Sequence, residues 1–146
     1  MWIALWQLGP VCSPSATVAP PYRDPSDPPG WYGVEPLPHP LQEHGVVTVG
    51  DEVWTIGGVD DGITTLDEVW IFDGSWRAGP AIPVPLHHPN VLARGGDVYV
   101  LGGLTGRGFD PVDLAWVLRA GSDTWTALSS LPEPRGAAAT GLDADG

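Results

Sequence analysis

The chain has 146 residues and a net charge of −12, from 18 acidic side chains against six arginines and no lysine. An acidic surface without a basic stripe argues against nucleic acid and against anionic membranes as partners, because counterion release needs Lys and Arg. The single cysteine, Cys12, excludes an internal disulfide and a thiolate metal cage.

Residues 1–30 admit two readings. Trp2–Leu8 is apolar enough for a strand, and Tyr22 stands nine residues before Trp31, as Trp116 does before Trp125. Pro20-Pro21, Pro25 and Pro28-Pro29 are poor strand material and favour an irregular leader. The opening run Met1–Trp6 is too short for a membrane span and lacks the basic flank of a signal peptide. Absent lysine, with abundant Ala, Gly, Pro and Asp, points to a GC-rich bacterial genome.

Pro38 to Trp76 reads as four short strands. Gly45–Val49 is β-branched, and Gly50-Asp51 makes a two-residue hairpin turn into Val53–Ile56. That strand is expected to end on Gly57-Gly58. The polar loop Asp60–Thr65 then leads to Val69–Phe72, the turn Asp73-Gly74 and a last strand opened by Trp76.

The same stretch recurs. A shift of 45 residues lays Pro38 on Pro83 and Gly57-Gly58 on Gly102-Gly103. One extra residue then brings Trp70 onto Trp116, and three more bring Trp76 onto Trp125. Insertions confined to two loops are how structural repeats vary. Leu131-Pro132-Glu133-Pro134-Arg135 opens a further copy, whose first strand would be Ala137–Leu142. Divided this way, residues 38–82 and 83–131 are complete units. Residues 1–37 are an incomplete unit or a leader, and 132–146 begin another that is cut short.

Four strands per unit, a double glycine and two spaced aromatics resemble the kelch repeat of β-propellers. The resemblance implies an all-β fold, a propeller segment of about three four-stranded antiparallel blades. Closed propellers need four to eight blades, so the remaining blades are expected to be required. Pro134-Arg135 keeps the Pro-Arg phrase of the family, whereas Pro40-Leu41 and Pro85-Leu86 depart from it. Gly57, Gly58, Gly102 and Gly103 read as structural, as do Trp76 and Trp125, which would fill the wedges between blades, and Trp70 and Trp116, their partners on strand 3.

In such a blade the loops before strand 1 and after strand 2 emerge at one end. They supply His39, Glu43, His44, His87 and His88, and Asp60, Asp61, Thr105, Arg107, Phe109 and Asp110. Of these, Glu43, His44, Asp60, Asp61, His87, His88, Thr105 and Arg107 are the candidate binding residues for a protein or small ligand. No histidine has a partner at a diagnostic metal spacing such as HExxH, so no metal and no cofactor are expected. Asp60-Asp61-Gly62 lacks the alternating acids of a calcium loop. No catalytic trio or carboxylate pair stands out.

The leading function is therefore a binding scaffold. The alternative is part of an enzyme on the same architecture, resembling galactose oxidase or a sialic acid mutarotase. A copper radical site would need converging tyrosines and histidines, and Tyr22, Tyr32 and Tyr99 show no such clustering.

Overall fold

The computed structural model describes residues 33–143. The readings placed on Trp2–Leu8, Cys12, Tyr22, Trp31 and Tyr32 lie outside these residues. Eight strands follow in order: β1 (Gly45–Val49), β2 (Glu52–Val59), β3 (Thr65–Phe72), β4 (Trp76–Ala78), β5 (Val91–Arg94), β6 (Asp97–Thr105), β7 (Asp110–Leu118) and β8 (Trp125–Ala127). They form two antiparallel sheets, ordered β1-β2-β3-β4 and β5-β6-β7-β8, and the described residues contain no helix. The fold is all-β, and no helix among these residues is long and apolar enough to cross a membrane.

The two sheets repeat residue for residue. Thr55 faces Trp70 and Phe72 faces Trp76 in the first; Val100 faces Trp116 and Leu118 faces Trp125 in the second. Three extra residues of the second unit fall in the β7–β8 turn, as the repeat alignment has it; the other lengthens the β6–β7 hairpin, whose strands have nine residues each against eight in β2 and β3.

The sheets stack with β1 beside β5, and the core lies between them. Ile56, Val69 and Ile71 come from the first sheet; Val98, Val100, Trp116, Leu118 and Trp125 come from the second. Ile82 and Leu86 in the connecting segment complete it. Burying a side chain of this size contributes about 1.5–3 kcal/mol, so this seam holds the two units together.

The double glycines do not end their strands. β2 runs on to Val59 and β6 to Thr105, with a bulge between Ile56 and Gly58 and another between Leu101 and Gly103. The cause is close backbone approach. Gly57 has φ +60°, and a Cβ there would be driven onto the Leu86 carbonyl oxygen; Gly102 stands in the same relation to Arg135. The following amides use that proximity, Gly58 N–H donating to Leu86 O and Gly103 N–H to Arg135 O, each at 2.8 Å. An extra residue in one strand thus turns the ladder toward the next segment of chain.

The tryptophans divide. Trp116 and Trp125 are buried in the seam. Trp76 is half-buried, packed on Phe72 with ring centroids 5.0 Å apart, and its indole N–H donates to Glu35 O at 2.9 Å. Ala137–Leu142 forms no strand ladder, since no described segment pairs with it. Side chains hold it beside β5 instead. Asn90 Oδ1 accepts from Ala138 N–H at 2.7 Å, and Thr140 Oγ1 donates to Val91 O at 2.6 Å.

Candidate functional site

At one end of the sheets, the segments before β1 and β5 meet the β2–β3 and β6–β7 loops. The backbone sets the geometry. Glu43, His88 and Ala137 hold equivalent places in successive units, and all are left-handed, with φ of 58°, 47° and 54°. His88 N–H donates to Glu43 O at 2.7 Å, and Ala137 N–H donates to His88 O at 3.0 Å. Successive units are joined amide to carbonyl at this level.

That staircase places Glu43, His87 and His88 together, although 44 residues separate Glu43 from His87 in sequence. Glu43 Oε2 lies 3.3 Å from His87 Nδ1 and 3.6 Å from His88 Nδ1, and the two Nδ1 atoms are 2.9 Å apart. His87 is 1% exposed, and its main chain bridges to Leu104. Its Nε2 lies 2.9 Å from Gly106 O. A carbonyl only accepts, so Nε2 carries the proton, and in the neutral ring Nδ1 is left as a bare acceptor. Phe109 closes over both rings, edge-on to His87 at 4.9 Å and tilted on His88 at 5.9 Å.

The other two histidines point elsewhere. His39 Nε2 meets Glu68 Oε2 at 2.7 Å, and Trp70 Nε1 donates to the same oxygen at 2.8 Å. The bond to Glu68 raises the His39 pKa above its ordinary value. Burial pushes Glu68 upward, but the bonds from His39 and Trp70 outweigh it and leave the carboxyl lowered. His44 lies against the Gly58 backbone with its Nδ1 buried and unbonded, and burial lowers its pKa.

Asp60 holds the β2–β3 loop closed, its Oδ1 accepting from Thr64 N–H at 2.7 Å. Asp61 and Arg107 are exposed, and Thr105 Oγ1 donates to Asp110 O at 3.3 Å. Sequence reasoning missed Ile63, which is exposed at the tip of the same loop with φ 63°. An apolar residue inside a polar loop was the available signal; only its exposure gives that signal meaning.

The family description "Kelch motif" matches residues 40–81, which span β1 to β4. Kelch-like protein terF of Aspergillus terreus is 34% identical over 125 residues, covering 74% of this chain and 26% of that protein. Kelch-like protein 40a of Danio rerio is 30% identical over 80 residues, covering 51% and 13% respectively. Kelch repeat and BTB domain-containing protein 1 of horsepox virus is 27% identical over 110 residues, covering 73% and 20%. The chain therefore spans about a quarter or less of these relatives' length. The matched motif ends at the linker that joins the two sheets, and the second sheet repeats the first in register and bulge. On those grounds the chain belongs to the kelch-repeat family.

Proposed function

We propose that the chain is part of an interaction scaffold that seats a protein partner on the end formed by the β2–β3 and β6–β7 loops. The observation that carries this is the pair Ile63 and Phe109. Both are large and apolar, 56% and 52% exposed, and both are held in the left-handed region, at φ 63° and 57°. That conformation costs an L residue roughly 1–2 kcal/mol; Phe109 packs one face on His87 and His88 and leaves the rest in water, as Ile63 does at its loop tip. Such strain clusters at functional positions.

Asp60, Asp61 and Asp110 stand beside these two side chains in the same loops. An apolar centre with a polar rim is the general anatomy of a protein interface. The partner that fits has apolar pockets with a basic rim, which an overall charge of −12 would also steer inward. In this reading, neighbouring sheets of the same kind complete the seat.

The test is site-specific photocrosslinking in the full-length protein. A photoreactive residue at Ile63 or Phe109 is expected to yield a discrete protein adduct. One at Asp51 or Ser122, in turns at the opposite end, is expected to yield none. Adducts from the opposite end alone, or from neither end, overturn the proposal.

A further inference from the structure

We propose that Glu43, His87 and His88 form a site for a divalent first-row transition metal, with Zn²⁺ as the natural probe. Two imidazoles and a carboxylate are the donors such ions take, and three protein ligands leave a position open for water or a further ligand. The inference does not depend on a protein partner.

The spacing fits. A tetrahedral centre with bonds of about 2.0–2.1 Å separates its donor atoms by about 3.3–3.4 Å. The three atoms here are 2.9, 3.3 and 3.6 Å apart, and a small rotation of the His88 ring evens them. Each residue offers one ligand atom, and these atoms all lie within 4.8 Å of one another.

The surroundings fit as well. Metal-bound histidines characteristically donate their second ring N–H to a carbonyl or carboxylate, which fixes the tautomer and aims the free nitrogen at the ion. His87 does this through Gly106 O, and its ring is almost completely buried. Its bare Nδ1 then faces a carboxylate oxygen and a second imidazole nitrogen. At 2.9 Å the two Nδ1 atoms are at hydrogen-bond distance, so either a proton on His88 Nδ1 or a cation among the three atoms must hold them together. Phe109 packs against both rings.

A proton shared between the two rings is the rival occupant. The full chain, stripped with EDTA and dialysed, is titrated with ZnCl₂ by calorimetry and with CoCl₂ by visible absorption. Expected are one equivalent of Zn²⁺ with a Kd of about a micromolar or below and a saturable Co²⁺ ligand-field spectrum. Glu43→Gln and His88→Asn should each weaken binding by roughly tenfold or more, the scale on which even the supporting partners of metal ligands act. Asn is chosen because it tolerates the left-handed backbone at His88. His39→Ala, which removes a distant His–Glu pair, should leave the titration unchanged. No saturable binding in the parent chain would mean that a proton holds the cluster and would overturn the proposal. Unchanged affinity in both ligand variants would overturn it too.

Discussion

Trp125 donates its indole N–H to the carbonyl oxygen of Pro80 at 2.9 Å, across the seam between the two sheets. Pro80 stands four residues after Trp76, and Trp76 makes the corresponding bond to Glu35. Trp125 thereby anchors the segment that leaves the first sheet, and Trp76 the segment that leads into β1. Trp125 is 9% exposed, so Trp125→Ala should cost about 3–5 kcal/mol, the range for deleting a buried aromatic. Trp125→Phe keeps most of the ring and loses the hydrogen bond, for a cost of about 1 kcal/mol. Denaturant unfolding of both variants separates packing from bonding. Equal losses would show that the ring contributes nothing beyond its N–H.

The double glycines offer a paired comparison. Gly50 and Gly57 share a positive φ, at 59° and 60°, but a Cβ on Gly50 meets nothing within 4 Å while one on Gly57 meets the Leu86 carbonyl. Gly50→Ala should cost only the left-handed penalty of roughly 1–2 kcal/mol. Gly57→Ala adds displacement of Leu86 from the core and strain on the Gly58–Leu86 bond, and should cost clearly more. Similar midpoints for the two variants would remove the close-approach explanation.

The His39–Glu68 pair makes stability depend on pH from both sides. The raised His39 pKa gives a contribution that is complete below the ordinary histidine value and lost as pH rises through the folded value. The lowered Glu68 pKa gives one that is complete above the ordinary glutamate value and lost as pH falls through the folded value. The pair therefore contributes most between about pH 4.5 and 6.5, and salt weakens it because both side chains are partly exposed. An NMR titration should place His39 above the ordinary histidine midpoint, and Glu68→Gln should bring it down. A midpoint unmoved by Glu68→Gln would deny the pairing.

Thr55 is the weak point of the core. It is fully buried, and its hydroxyl has no hydrogen-bond partner among the described residues. Val100 occupies the matching place in the second sheet without difficulty. Thr55→Val keeps the shape and removes the unpaired hydroxyl, and should stabilise by about 1 kcal/mol. A destabilised variant would show that the hydroxyl is satisfied after all.

The fold was legible because its signals are local and repeat. Hairpin glycines, β-branched runs and two tryptophans per unit recur, so each copy checks the other. The course of β2 through Gly57-Gly58 was not legible. A glycine pair reads as a stop, and only the approach of Leu86, itself placed by the neighbouring sheet, shows that it is a bulge. The candidate end was located by the same alignment, yet its internal grouping was hidden. Glu43 joins His87 and His88 through a bond between backbones of different units, and no spacing within either segment encodes that. His39 and His44 sit in the same stretch as Glu43 and face away from the cluster. Which way a loop side chain turns depends on burial, and the linear pattern does not carry it.

An acid, an imidazole and a methyl group occupy the same left-handed slot at Glu43, His88 and Ala137, and the main chain links them without help from any of the three. The joinery is thus written in amides and carbonyls, while the side chains remain free to be chosen for what they touch. One replacement at such a slot rewrites the mouth of the molecule and leaves its frame standing. Each added unit brings a fresh slot to fill. A protein built this way can acquire a new ligand by single steps, none of which has to be compensated elsewhere in the fold.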